Sequence, residues 1–69
     1  NPLCFYIAIA DFAKTALRGG GKLYFEINPI YADQLKDVLI EKGFCDVEIH
    51  LDIHNRKRFA CASKPHNVE

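Results

Sequence analysis

The chain opens on a segment whose apolar residues recur at the spacing of an α-helix. One row along it comprises Leu3, Tyr6, Ala10, Ala13 and Leu17, and a second row comprises Phe5, Ile9, Phe12 and Ala16. Asn1-Pro2 suits the start of this helix, because Asn is a favoured N-cap and Pro a favoured first residue. Two rows make a wide apolar stripe, so we expect the helix to be covered on more than one side.

Three glycines at residues 19–21 end this helix, and residues 22–27 then read as a strand rich in aromatic and aliphatic side chains. A glycine just past a helix supplies the left-handed conformation that closes it. A phosphate loop is the weaker alternative, since it needs a strand before the glycines and a helix after them. Leu23 and Phe25 share one face of the strand and Tyr24 the other, a pattern typical of a strand covered on both sides.

Residues 30–42 predict a second helix, and its apolar stripe is formed by Tyr31, Leu35, Val38 and Leu39. Gly43 is a good residue to end it, and Phe44 can fold back onto its last turn. The charged residues lie on the opposite, solvent-exposed face of this helix, so only its apolar side needs to pack against the rest of the protein.

Residues 45–53 alternate between apolar and polar side chains, which indicates a strand with one solvated face near a sheet edge. The side predicted to face the core holds Cys45, Val47, Ile49, Leu51 and Ile53. A turn at residues 54–57 leads into a last strand at residues 58–63, on which we expect Cys61 to point inward. The basic cluster of Arg56, Lys57 and Arg58 reads as a solvated hairpin turn rather than a phosphate patch.

The element order is helix, strand, helix, strand, strand, which predicts the α/β class. We expect the two outer strands to be parallel through a right-handed crossover and the final hairpin to be antiparallel. The last strand would then lie between the other two in a three-stranded mixed sheet. Residues 1–63 form the folded part, and residues 64–69 read as a polar tail that frays.

Composition narrows the class of protein. Nine basic and nine acidic residues balance, which argues against a nucleic-acid partner, and no apolar run is long enough to cross a membrane. Three cysteines without a secretory signal predict reduced thiols and a cytoplasmic location.

The length of 69 residues predicts an incomplete unit. A chain of this size buries little of its surface, and the absence of methionine indicates that translation starts elsewhere. We therefore expect a fragment of a larger enzyme that self-associates through its uncovered sheet face and open strand edge.

Candidate chemistry is sparse. Glu26 and Asn28 lie at the C-terminal end of the first strand, the edge where α/β sheets bind ligands, so we treat them as substrate-proximal candidates. The alternatives are a carboxylate paired with a neighbour and an N-cap for the second helix. Cys45, His50 and His54 have a spacing that suggests zinc, but Cys45 should face the core, so no metal site is predicted. No catalytic set of nucleophile, base and stabiliser is present, and Ser63 lacks a glycine elbow.

Three segments together resemble a known family. They are residues 5–10 (Phe-Tyr-Ile-Ala-Ile-Ala), residues 20–28 (Gly-Gly-Lys-Leu-Tyr-Phe-Glu-Ile-Asn) and residues 43–49 (Gly-Phe-Cys-Asp-Val-Glu-Ile), continued by residues 52–59. The chain resembles, over residues 3–63, the C-terminal part of the HemK/PrmC family. These are class I methyltransferases that use S-adenosylmethionine to methylate the glutamine of the release factor Gly-Gly-Gln motif.

The resemblance implies that the three strands are the fifth, sixth and seventh of a Rossmann-like sheet. It implies S-adenosylmethionine as cofactor and a release factor as partner for the complete protein. The family's cofactor loop, its ribose-binding acid and its Asn-Pro-Pro-Tyr motif have no counterpart in these 69 residues, so we expect the chain alone to bind no cofactor. Residues 28–31 (Asn-Pro-Ile-Tyr) imitate that motif, but they follow the fifth strand and not the fourth. A stand-alone interaction module and a fragment of another class I methyltransferase remain alternatives.

Overall fold

A computed structural model describes residues 2–66, and their regular elements follow the predicted order. The elements are helix α1 (Pro2–Ala16), strand β1 (Lys22–Glu26), a 3₁₀ turn (Pro29–Tyr31), helix α2 (Ala32–Glu41), strand β2 (Cys45–Leu51) and strand β3 (Lys57–Ser63). The predicted α/β class is therefore confirmed. The predicted N-cap at Asn1 lies outside the described residues.

β3 lies between β1 and β2 and is antiparallel to both. Phe25 faces Ala60 across the β1–β3 ladder, and Ile49 faces Ala60 across the β2–β3 ladder. β1 and β2 run in the same direction but are not hydrogen-bonded neighbours. The last strand is thus antiparallel between the other two, as predicted. Because every ladder among the described residues is antiparallel, the label of a mixed sheet is wrong.

Both helices pack on one face of the sheet and enclose the core. α2 contributes Ala32, Leu35 and Leu39, and α1 contributes Ala10 and Ala13. These meet a sheet layer of Ile27, Phe44, Ala60 and Ala62. The first apolar row predicted on α1 is therefore its inner face, and the ring of Tyr6 on that row packs edge-to-face on Phe25 with centroids 5.9 Å apart.

The second apolar row of α1 is only partly covered by the described residues. Phe5 is 68% exposed and Phe12 is 71% exposed, while Ile9 between them is half-buried. A chain this small cannot enclose both rows, because its two helices and one sheet can cover only one side of α1. The exposed aromatic rings form a surface that suits a further partner layer.

Gly43 ends α2 as the sequence predicted. Its φ of 94° lies in the left-handed region, and its N–H donates to the carbonyl of Ile40. The N–H of Phe44 reaches back to the carbonyl of Leu39 at 3.1 Å, and the Phe44 ring is buried. This closure aims the chain into β2 and contributes one of the aromatic rings of the core.

The alternation predicted for β2 is wrong at both ends of the strand. Between the Cys45–Ser63 and Glu48–Cys61 pairs, two residues of β2 oppose one of β3, and Asp46 adopts a φ of 51°. This β-bulge shifts the phase, so Cys45 is exposed and lies on the side of Glu48 rather than in the core. At the other end Leu51 is exposed and Ile53, beyond the strand, is 93% exposed.

The inward orientation predicted for Cys61 is also wrong. Cys61 pairs with Tyr24 and Glu48 across the two ladders, on the face opposite to Ala60 and Ala62. Cys61 is nevertheless only 9% exposed. This face, which we call the open face, carries no helix within the described residues.

The start of the predicted tail is ordered by contacts. The Lys64 N–H donates to the carbonyl of Gly21, and the Gly20 N–H donates to the carbonyl of Lys64. The Lys64 ammonium donates to the carbonyls of Lys14 and Leu17 at 2.5 and 2.9 Å. A cation at these carbonyls complements the negative end of the α1 dipole. Residues 67–69 of the tail lie outside the described residues.

Candidate functional site

The C-terminal end of β1 brings the two predicted site residues next to α1. The Asn28 N–H donates to the Tyr6 hydroxyl at 2.9 Å, which fixes the chain where it leaves β1. The Asn28 side-chain oxygen accepts from the Ile30 N–H at 3.2 Å and so caps the 3₁₀ turn before α2. Asn28 therefore has the local capping contact that we considered as an alternative to a substrate role.

Arg58 links Glu26 to the hairpin. Its Nη1 lies 3.8 Å from Glu26 Oε2, and its Nε lies 3.5 Å from Asp52 Oδ2. The Nε is buried and makes no hydrogen bond within residues 2–66. Glu26 itself is largely exposed, so its carboxylate stays accessible while a cation holds its orientation.

These groups line a shallow depression at the edge of the sheet, formed by Tyr6, Glu26, Ile27, Asn28, Pro29 and Arg58. A phenol, a carboxylate and a guanidinium offer both donors and acceptors to a polar ligand. The described residues contain no nucleophile with an adjacent base there, so the depression can orient a ligand but has no means of transferring a group by itself.

The hairpin turn is organised by Asp52. Its Oδ1 accepts from the N–H groups of His54 and Arg56 at 2.8 and 3.0 Å, and its Oδ2 accepts from Arg56 Nε at 3.1 Å. Lys57, beside them, pairs with Asp33 on α2 at 2.9 Å. Arg56 and Lys57 of the basic cluster are thus paired with carboxylates, in agreement with the prediction of a hairpin turn.

These contacts predict acid sensitivity. The Arg56 backbone N–H holds the pKa of the Asp52 carboxyl below its usual range, and a hydrogen bond from Lys57 does the same to the pKa of Asp33. A depressed folded-state pKa stabilises the fold fully above the unfolded value of about 3.9 and loses that effect as pH falls through the folded value. We expect Asp52→Asn to lower the urea midpoint at neutral pH and to converge with the unmodified chain near pH 2.

Asp37→Asn, a change at an exposed position of α2, is the control and should follow the unmodified chain at every pH. Urea unfolding followed by circular dichroism across this pH range measures all three proteins. A difference between Asp52→Asn and the unmodified chain that stays constant with pH would contradict the assignment.

The residues that suggested zinc are not brought together as a set. Cys45 and His50 lie at different positions of the open face, and His54 lies in the exposed hairpin turn. His50 instead contacts Glu48 and Cys61. Burial of Cys61, aided by the Glu48 carboxylate, raises the pKa of its thiol.

The glycine run does not fit a cofactor loop. The Gly20 N–H donates to Lys64 and the Gly21 N–H donates to the carbonyl of Arg18, so both amides are already occupied by the chain. Because a loop that holds an anionic group needs free amides, no step involving S-adenosylmethionine is assigned to these residues.

The sequence did not single out Tyr6 or Arg58 as site residues: Tyr6 was a member of an apolar row, and Arg58 belonged to the basic cluster at the start of the last strand. Both join Glu26 and Asn28 through tertiary contacts: Tyr6 through the packing of α1 on β1, and Arg58 through the β1–β3 pairing that sets Glu26 opposite Phe59. The position of β3 between the other two strands was predicted. The signal that could have identified Arg58 was therefore its place next to Phe59, the residue that pairs with Glu26.

Comparison with known proteins places the chain beside a methyltransferase. The release factor glutamine methyltransferase of Bacteroides thetaiotaomicron is 38% identical to it over 64 residues, which are 93% of this chain. The chain spans only 23% of the length of that relative. The resemblance predicted from the sequence is confirmed.

Two other comparisons give no match, since no family model and no solved structure matches the chain with statistical significance. Within residues 2–66, no helix has the length and apolar character needed to cross a membrane.

Proposed function

We propose that this chain, a relative of the release factor glutamine methyltransferases, is part of an enzyme with that activity. The complete enzyme would transfer a methyl group from S-adenosylmethionine to the side-chain amide of the glutamine in the Gly-Gly-Gln motif of peptide chain release factors. The similarity to the Bacteroides enzyme over nearly the whole chain is the observation that carries the proposal.

The surfaces of the chain support a place within a larger sheet. β1 pairs on one side with β3 and leaves its other edge without a strand among the described residues. The Phe5 and Phe12 rings face outward on α1, and the open face has no helix over it in this part of the chain. In the proposal the three strands are the last three of a class I sheet, and the rest of the enzyme covers these surfaces.

Glu26 and Asn28 are the residues through which this chain would touch the substrate side. Glu26 is the last residue of β1 and Asn28 follows it, at the edge where α/β sheets bind their ligands. Tyr6 and Arg58 hold them there by the contacts described above. In the proposal Glu26 accepts a hydrogen bond from the release factor, and Asn28 shapes the adjacent backbone.

The test uses the complete polypeptide that contains this chain, with S-adenosylmethionine and a release factor. Mass spectrometry of the Gly-Gly-Gln peptide should show one added methyl group on the glutamine. Glu26→Gln should lower kcat/KM for the release factor about tenfold, the effect of losing one hydrogen bond to a charged group. Glu41→Gln, at an exposed position at the end of α2, is the matched control and should leave it unchanged.

Absence of methylation by the complete polypeptide would contradict the enzyme assignment, and equal rates for the two variants would remove Glu26 from the substrate side. For the 69-residue chain alone we expect no heat of binding with S-adenosylmethionine. One-to-one binding by that chain would contradict the proposal that the residues which bind the cofactor lie elsewhere in the complete enzyme.

A further inference from the structure

Three side chains of different chemistry converge on the open face of the sheet. Glu48 and His50 are two residues apart on β2 and point to the same side, and Cys61 on β3 is the cross-strand partner of Glu48. Glu48 Oε1 lies 3.0 Å from His50 Nε2. Cys61 Sγ lies 3.5 Å from His50 Nε2 and 3.9 Å from Glu48 Oε1.

These separations are close to the edges of a metal coordination tetrahedron. A zinc ion with bonds of about 2.3 Å to sulfur and about 2.0–2.1 Å to nitrogen and oxygen needs ligand atoms roughly 3.3–3.6 Å apart. The three observed distances bracket that range. Since Glu48 and His50 are exposed side chains on a regular strand, small rotations about their side-chain bonds would complete the fit.

We propose that Glu48, His50 and Cys61 form a zinc-binding site on the open face of the sheet, with water as the fourth ligand. A thiolate and an imidazole favour zinc over magnesium or calcium, which take oxygen ligands. Glu48 supplies a carboxylate, so thiolate and carboxylate together balance the charge of the ion. Binding releases the thiol proton of Cys61 to water.

The backbone holds the three ligands in place without help from the metal. Cys61 is on the central strand β3, which is hydrogen-bonded to β1 on one side and to β2 on the other. Glu48 and His50 lie between the two irregularities of β2, in its regularly paired part. The fourth position opens toward a groove that Lys22, Cys45 and Asp46 also line, which leaves room for water.

This inference is independent of the proposed methyltransferase function, because it uses only contacts within β2 and β3. A bound ion would join the two strands through side chains as well as through the ladder. Zinc that binds the folded chain and not the unfolded one raises the unfolding temperature as its concentration rises.

The experiment titrates the reduced 69-residue chain with Zn²⁺ by calorimetry and with Co²⁺ by absorption spectroscopy, in a buffer without chelators. We expect one equivalent of Zn²⁺ to bind and to raise the unfolding temperature. Co²⁺ should give a thiolate charge-transfer band and the visible bands of a tetrahedral ion. Absence of one-to-one binding would overturn the proposal.

Variants then test whether the metal binds at the proposed site or at another cysteine. Cys61→Ser should abolish the charge-transfer band, and His50→Ala should weaken Zn²⁺ binding at least about a hundredfold, since even partners that only orient a ligand cost 10–100-fold when removed. His50 is exposed, so its variant tests the site without disturbing the core.

The matched controls are Cys4→Ser, at an exposed position of α1, and His54→Ala, in the hairpin turn. Both should keep the affinity within about twofold of the unmodified chain, because neither touches a ligand. Loss of the cobalt band in Cys4→Ser, or unchanged affinity in His50→Ala, would show that the metal binds elsewhere and sink the assignment.

Discussion

Replacing Leu35 with Ala should remove a large part of the stability of the chain. Leu35 is 0% exposed and lies on α2 in the same cluster as Ile27 and Leu39, the largest fully buried side chains. A Leu→Ala change at such a position costs about 2–5 kcal/mol through lost burial and a residual cavity. A chain of this length has a free energy of unfolding of roughly 3–10 kcal/mol, so this loss is a large part of it.

Urea unfolding followed by circular dichroism measures the effect. Ile40→Ala is the control on the same helix, because Ile40 is exposed and should change the free energy of unfolding by less than about 0.5 kcal/mol. Equal losses in the two variants would mean that α2 does not bury the face described here.

The second large effect is on association. We expect the 69-residue chain to self-associate through its open face, where Tyr24 is 68% exposed and Phe59 on β3 is exposed beside it. Burying one aromatic ring contributes about 1.5–3 kcal/mol, and a symmetric contact uses each ring twice. Tyr24→Thr combined with Phe59→Thr should therefore weaken the dimer at least about a hundredfold while keeping residues that suit a strand.

Sedimentation equilibrium at several concentrations measures the dimer constant. Phe12→Gln, on the exposed row of α1, is the matched control and should leave association intact. A chain that stays monomeric at millimolar concentration would refute self-association. If Phe12→Gln alone dissociates the dimer, the dimer interface lies on α1 and not on the open face of the sheet.

The two helices and the end of α2 were predictable because their signals are local, whereas α1 ends at Ala16, before the glycines expected to close it. The row from Leu3 to Leu17 repeats at helical spacing, and it is the inner face of α1. Gly43 and Phe44 close α2 through hydrogen bonds to residues of its last turn. Nothing distant is needed for either feature, so the sequence pattern alone was enough.

The strand faces were predicted less well because their phase depends on pairing. The bulge at Asp46 inserts a residue against β3, which no alternation of apolar residues reveals, and it turns Cys45 outward. Phe59 to Ala62 are all apolar, so the pattern could not tell which of them face the core. Cys61 was assigned to the wrong side for that reason, and its contact with His50 was missed.

The candidate site was predictable in position but not in composition. The end of β1 identified Glu26 and Asn28, because sheet topology alone says where ligands bind. Arg58 reaches Glu26 only when β3 has paired with β1, and Tyr6 reaches Asn28 only when α1 has packed on the sheet. Contacts of that kind are properties of the assembled fold.

The central strand of the sheet is also the last of the three to be synthesised. β1 and β2 are not neighbours, so neither has a ladder partner among the described strands until β3 leaves the ribosome. Until then the described residues supply two strands that lack this shared partner, the kind of exposed edges that chaperones shield. β3 then closes two ladders at once, which makes the pairing of these three strands a late event of translation.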